Sequence, residues 1–222
     1  MTGRKRVAIL ISGRGSNMSA LIAAAAAPDY PAAIALVLSD RPEAKGLALA
    51  AEAGIATAAV DRRAHPNKAA FEAAMNAVLD GAGIEIICLA GFMRLLSADF
   101  VARWHDRLIN IHPSILPAFK GIDTHERALA AGVRLHGCTV HYVRAEVDDG
   151  PIIVQAAVPV RGGDTVDGLA ARVLTVEHRI YPLALALVAS GRARVEGGHV
   201  AIDGEPLHAA EPLIVPRFPE RP

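Results

Sequence analysis

The chain has 222 residues, 52% of them hydrophobic and only 4% aromatic, so its core is built from alanine, valine, leucine and isoleucine. Lys+Arg and Asp+Glu balance at 23 each, which excludes a global electrostatic pull toward nucleic acid or an anionic membrane. Two cysteines, Cys88 and Cys138, exclude a disulfide scaffold and suit a reducing compartment. The apolar run after Arg4-Lys5-Arg6 covers only residues 7–11, too short for a signal peptide, and no stretch approaches the ~20 apolar residues of a membrane helix. The expectation is a soluble, cytoplasmic protein with a single catalytic-sized domain over residues 1–205 and a Pro-rich tail over 206–222.

Residues 7–11 form a continuous apolar run, the pattern of a strand buried on both faces. An alanine-rich helix follows over 17–27 and stops at Pro28. The alternation repeats: strand 34–38, helix 43–53 closed by Gly54, strand 57–60, helix 66–79 with Pro66 in its first turn, strands 84–89 and 108–111. Strands and helices alternating with short connections predict βαβ units, an α/β, Rossmann-like, mostly parallel sheet flanked by helices.

Beyond residue 112 the pattern changes. Residues 112–121 hold Pro113, Pro117 and Gly121 and read as an irregular loop; 123–131 reads as a short helix. Residues 139–143 alternate, Asp148-Asp149-Gly150-Pro151 is a turn signal, and 152–158 supplies the second arm of an antiparallel hairpin. Residues 165–188 are expected as a helix in two pieces, interrupted at Pro182. Residues 192–202, centred on Gly197-Gly198, read as a small terminal hairpin.

Four segments carry candidate chemistry. Ser12-Gly13-Arg14-Gly15-Ser16-Asn17 lies between the first strand and helix, where glycines let backbone N–H groups face an anion and Ser16 or Asn17 can cap the helix. The dinucleotide fingerprint needs a third glycine where this chain has Met18, so one phosphate fits better than a dinucleotide. Asp40 nevertheless sits where that fold places its ribose-binding acid, which keeps an NAD enzyme open. Ala90-Gly91-Phe92-Met93-Arg94-Leu95-Leu96 follows a strand end, where ligands of open α/β sheets bind; on composition alone it reads as a connector covering the core.

Asn110 and His112 are two apart in a strand and face one side, an amide donor beside a titratable imidazole that together could stabilise an oxyanion and move a proton. A lone Asn-x-His more often merely closes a strand end. The acidic turn at Asp148 gains meaning if one carboxylate meets His112. His125, His136 and His141 lack the spacing of common zinc sites, so no metal is expected, and His141 reads as a hydrogen-bonded strand residue. Cys88 and Cys138 read as inert buried thiols.

Taken in order, Ile11-Ser12-Gly13-Arg14-Gly15-Ser16-Asn17, Leu89-Ala90-Gly91-Phe92-Met93-Arg94-Leu95-Leu96-Ser97, Ile109-Asn110-Ile111-His112-Pro113-Ser114-Ile115-Leu116-Pro117, Thr139-Val140-His141-Tyr142-Val143 and Asp148-Asp149-Gly150-Pro151-Ile152-Ile153 closely resemble one family. It is that of the phosphoribosylglycinamide formyltransferases, folate-dependent enzymes of purine synthesis. The resemblance runs from about residue 7 to about residue 185 and is specific as an ordered set.

The resemblance implies that Gly15, Ser16 and Asn17 hold the substrate phosphate and that Glu177 binds elsewhere on the ribonucleotide. It implies a pocket for the pterin of 10-formyltetrahydrofolate lined by Met93, Arg94, Leu95 and Leu96 and by the stretch from Val143 and Arg144 to Asp148, with Lys68 and Asn110 beside that cosubstrate. Asn110, His112 and Asp148 match the family's catalytic trio. Residues to about 105 then form a phosphate-binding half and 106–205 a folate and catalytic half. Leu174 departs from a Gln found in relatives, and Asp149 from a more usual Gly.

The partners implied are two small molecules, glycinamide ribonucleotide and a reduced folate, without nucleic acid or membrane; the oligomeric state stays open. Two relatives share the Asn-x-His and the aspartate. Methionyl-tRNA formyltransferase usually adds a C-terminal RNA-binding domain and a basic surface, and formyltetrahydrofolate deformylase an N-terminal regulatory domain. The short, neutral chain with its pattern starting by residue 7 favours the ribonucleotide enzyme. A non-catalytic nucleotide- or folate-binding domain is the alternative from another class.

Overall fold

The computed structural model describes residues 3–204 and Val215, so the expected tail at 206–222 lies, but for Val215, outside the described residues. In chain order the elements are β1 (Lys5–Ile11), α1 (Ser16–Ala25), β2 (Ala32–Ser39), α2 (Lys45–Glu52), β3 (Thr57–Ala59), α3 (Lys68–Gly81), β4 (Ile86–Leu89), α4 (Ala98–Arg103), β5 (Leu108–His112), α5 (Thr124–Ala130), β6 (Leu135–Tyr142), β7 (Ile152–Pro159), α6 (Val166–Ala189), β8 (Ala193–Glu196) and β9 (His199–Ile202). Among the described residues, seven strands form one sheet in the order β3-β2-β1-β4-β5-β6-β7, and β8 pairs with β9. β1 to β5 run parallel, whereas β6 and β7 are antiparallel, the expected hairpin.

The two-residue period of the strands divides the core into two layers. Val7, Ile9 and Ile11 of β1 pack on one face with Met18 and Leu21 of α1 and Leu169, Val173, Tyr181 and Leu185 of α6. Ala8 and Leu10 pack on the other with Phe71, Met75 and Leu79 of α3 and Phe100 and Trp104 of α4. No helix among the described residues is long and apolar enough to cross a membrane.

Two local expectations are corrected and one helix is added. The helix at Pro182 is not broken: α6 runs unbroken through it. Proline removes one intrahelical bond, but its neighbours Ile180, Tyr181, Ala184 and Leu185 are buried against the sheet. The Tyr181 hydroxyl donates to the Leu89 carbonyl at 2.9 Å, and Tyr30 donates to the carbonyl of Pro182 at 2.6 Å. Pro66 lies outside α3, because Asn67 caps that helix by accepting from the Ala70 N–H at 2.8 Å. The helix α4, which the sequence reading left unassigned, is started by Ser97, whose hydroxyl accepts from Phe100 N–H at 3.1 Å.

Candidate active site

β1 has β2 on one side and β4 on the other, so the strand order turns outward from the gap between β1 and β4. In open α/β sheets that reversal opens a crevice at the carboxyl ends, where ligands bind. The loop after β1 and the loop after β4 meet there. The Ser12 N–H donates to the Gly91 carbonyl at 3.1 Å, and the Met93 N–H donates to the Ser12 hydroxyl at 2.9 Å.

Gly15 stands at the N-cap of α1 with φ 79°, and no side chain caps the helix. The expectation that Ser16 or Asn17 does so is corrected: both lie inside the first turn, leaving its N–H groups without a side-chain partner. The positive φ favours glycine here, and a Cβ on Gly15 would also come 2.9 Å from the Met18 methyl and 3.3 Å from the Gly46 Cα. Met18 is wholly buried in the position where a dinucleotide fold has its third glycine. Asn17 turns its side chain away, donating to Glu177 Oε2 on α6 at 2.7 Å. Burial pushes the Glu177 carboxyl above its usual range, and the Asn17 bond draws it partly back. Thus Gly15, Ser16, Asn17 and Glu177 do come together, and Leu174 sits nearly one turn before Glu177 on the same helix.

The second cluster forms at the end of β5. Antiparallel pairing with β6 sets Asn110 opposite His141 and His112 opposite Thr139. Thr139 anchors the following loop: its hydroxyl donates to the Ser114 carbonyl at 2.7 Å and accepts from the Leu116 N–H at 3.0 Å. His112 is buried, with Nδ1 3.3 Å from Asp148 Oδ2 and Nε2 3.1 Å from the Phe119 carbonyl. A carbonyl only accepts, so Nε2 carries a hydrogen, and Nδ1 faces a second acceptor.

Asp148 is also held by the Gly121 N–H at 2.8 Å, and Lys120 pairs with Asp149. Two successive aspartates thereby grip two successive loop residues. Asp148, Phe119 and Asp123 all have left-handed backbone, with φ of 51°, 55° and 55°. Two of the three, Asp148 and Phe119, contact His112, so left-handed backbone costing about 1–2 kcal/mol per residue bears directly on that side chain. Behind Asp148, a Cβ on Gly150 would lie 1.7 Å from the Tyr142 carbonyl, so only glycine lets the turn close onto β6.

His141 is the site residue that sequence reasoning missed, although its hydrogen-bonded state was expected. Its Nδ1 donates to the Tyr142 carbonyl at 2.9 Å, which leaves Nε2 as an acceptor for Asn110 Nδ2 at 3.3 Å. Burial lowers its pKa, outweighing the pull of the Tyr142 carbonyl and Asp148. Neutral His141 thus occupies one Asn110 N–H and leaves the other to point elsewhere. Only the register of β5 on β6 reveals this, and no local motif carries that register.

Of the expected folate-lining residues, Met93 and Leu95 are each 71% exposed, while Leu96 packs partly against the second core layer. Arg94 Nε donates to Asp40 Oδ2 at 2.6 Å, and Asp40 is buried. Asp40 therefore faces Arg94 rather than solvent, which removes the acid that the NAD reading needed. Lys68 opens α3, one turn before Glu72, and Glu72 accepts from the Ser97 N–H at 2.8 Å, which sets Lys68 on the side of this segment. Val143 continues β6, donating its N–H to the Leu108 carbonyl at 2.9 Å. The Arg144 side chain is committed to Asp106, at 2.6 Å. Cys88 and Cys138 are both free and buried, and burial, with Glu177 adding, pushes the Cys138 thiol up to about 12.

The formyl transferase family matches residues 5–185. The phosphoribosylglycinamide formyltransferase of Escherichia coli is 41% identical, over 90% of this chain and 95% of that protein. Trifunctional purine biosynthetic protein adenosine-3 of Bos taurus is 50% identical over 89% of this chain, which spans only 20% of that longer protein. Among solved structures, glycinamide ribonucleotide transformylase 1 from Symbiobacterium toebii superposes with a TM-score of 0.88 at 46% identity, covering 91% of this chain and 95% of that one. Formyltetrahydrofolate deformylase from Burkholderia mallei superposes at 0.82 with 30% identity, covering 91% of this chain and 71% of that one.

Proposed function

The chain belongs to the formyl transferase family, and on that footing we propose that it transfers the formyl group of 10-formyltetrahydrofolate to the amine of glycinamide ribonucleotide in purine synthesis. The observation that carries this reading is the placing of two clusters along the carboxyl edge of the parallel strands: an uncapped glycine turn for a phosphate after β1, and Asn110, His112 and Asp148 for the acyl chemistry at the end of β5. Residues to about 105 supply the phosphate cradle, and 106–205 supply the catalytic groups. We assign the reaction to the cytoplasm, in keeping with the free thiols.

The uncharged amine attacks the formyl carbon, and a new C–N bond forms as the carbonyl electrons move onto oxygen. The Asn110 N–H left over by His141 and the Nε2–H of His112 donate to that oxygen. For His112 this exchanges the Phe119 carbonyl for the substrate's oxygen. Preorganised donors of this kind are worth about 3–4 kcal/mol each. Asp148 balances the imidazolium and relays the proton from the attacking nitrogen toward N10, whose bond to carbon breaks as tetrahydrofolate leaves. Transfer is direct, without a covalent enzyme intermediate. Exposed Met93 and Leu95 offer apolar surface for the folate, and the 143–148 stretch is assigned to the same pocket on the family resemblance.

Formyltetrahydrofolate deformylase is the second reading, favoured by the Burkholderia mallei structure. Incubating the protein with 10-formyltetrahydrofolate, with and without glycinamide ribonucleotide, separates the two. Formyl loss that requires the ribonucleotide and yields its formyl derivative in equal amount supports the transferase. Formate released without it identifies a deformylase.

A further inference from the structure

Asp40 is the acid that the strand pattern offered to a ribose, yet it makes a different contact. It follows β2, across β1 from β4, with a completely buried side chain. One carboxylate oxygen accepts from Arg94 Nε at 2.6 Å, and the other has no partner among the described residues. The guanidinium it holds stays 39% exposed, so the pair is anchored at its acidic end.

Arg94 lies between Met93 and Leu95, which are exposed, while Phe92 is buried in the second core layer and Leu96 packs partly against it. Residues 93–95 themselves gain little from apolar burial to fix their path. The bonds that hold them are polar and buried, and come from three separate elements. Ser12, after β1, bonds Gly91 and Met93; Asp40, after β2, bonds Arg94; Glu72, on α3, bonds both the N–H and the hydroxyl of Ser97. All three anchors are buried. Burying polar groups is costly unless they are bonded, and a connector that only covers a core needs none of them. Charge-assisted bonds are roughly twice as strong as neutral ones, which sets the Asp40 and Glu72 carboxylates above the Ser12 hydroxyl as anchors.

We propose that Asp40 is a positioning residue for the folate: through Arg94 it sets the course of residues 93–96, and so the affinity for the reduced folate, without touching it. This rests on the reading of residues 93–96 as folate-lining. Losing the carboxylate frees Arg94 into solvent and loosens the segment between its two remaining anchors. The ribonucleotide side, held by the α1 turn and Glu177, is untouched.

The test compares Asp40→Ala, which removes acceptor and charge, with Asp40→Asn, which keeps an acceptor. KM for 10-formyltetrahydrofolate should rise about ten-fold in Asp40→Ala and by a smaller factor in Asp40→Asn. The turnover at saturating folate and KM for the ribonucleotide should stay within about two-fold of the parent. Calorimetric titration with tetrahydrofolate should rank the proteins in the same order without turnover. Should Asp40→Ala fail to fold, Asp40→Asn and Arg94→Lys carry the comparison, with weaker tetrahydrofolate binding in each. Equal folate affinity in the parent and in every folded variant overturns the proposal, as does a parallel rise in both KM values. A parent protein that neither binds tetrahydrofolate nor turns over overturns the folate reading, and this proposal with it.

Discussion

Asn110 and His141 face each other across the β5–β6 ladder, their side chains 3.3 Å apart, so the amide of one is oriented by the imidazole of the other. The orientation depends on His141 staying neutral, which its burial enforces.

Replacing His141 by Phe should therefore leave Asn110 free to rotate, and turnover should fall about ten-fold, less than on removing Asn110 itself. Steady-state kinetics on the folded variant check this. A turnover equal to the parent's means that Asn110 holds its orientation unaided.

Gly15→Ala should act on the other substrate. The added methyl meets Met18, and the positive φ strains any residue but glycine. KM for the ribonucleotide should rise several-fold, while KM for the folate stays put. Equal rises in both would detach the α1 turn from the phosphate.

The ion pair of Lys120 with Asp149 is exposed on both sides and contributes no more than about 1 kcal/mol. Lys120→Met should lower kcat/KM by less than about five-fold. Raising salt toward 0.5 M should cost the parent a similar factor and the variant almost nothing. A parent indifferent to salt would show that Gly121 on Asp148 suffices to hold the loop.

His136 supplies a pH test of stability. It is buried beside His125, ring centroids 5.2 Å apart, and burial, with the neighbouring His125 and His112, pulls its pKa from 6.5 to about 4. Below pH 6.5 the unfolded chain takes up a proton that the folded protein refuses until about 4, so protons favour unfolding. The stability present at neutral pH is lost as pH falls through that window, by up to about 3 kcal/mol. The melting temperature of the parent should fall more steeply than that of His136→Leu between pH 6.5 and 4, and parallel curves would refute the assignment.

The parallel sheet was readable because its strands are short apolar runs closed by turn residues, as at residues 7–11 and 34–38. Asn110 and His112 could be set on one side from the strand period alone, and the acidic turn was marked by its Asp and Gly. The meeting of Asp148 with His112 follows from the family resemblance and not from local pattern, because it joins elements far apart in the chain. Continuity of α6 through Pro182 depends on packing against the sheet, which no local pattern encodes. The six residues of α4 carry too little periodicity to stand out. The sequence offers the hydrogen-bonded state of His141 but not its partner Asn110, and it does not offer Arg94 as the partner of Asp40, because both partners are set by strand order and register.

The most direct test is a single-turnover measurement with 10-formyltetrahydrofolate and glycinamide ribonucleotide, on the parent, Asn110→Ala and His112→Ala. The parent should form tetrahydrofolate and the formylated ribonucleotide in equal amounts, and each folded variant should do so at least about 100-fold more slowly. A variant that keeps the parent's rate would contradict the placing of that residue at the oxyanion, and with it the account of transfer given above.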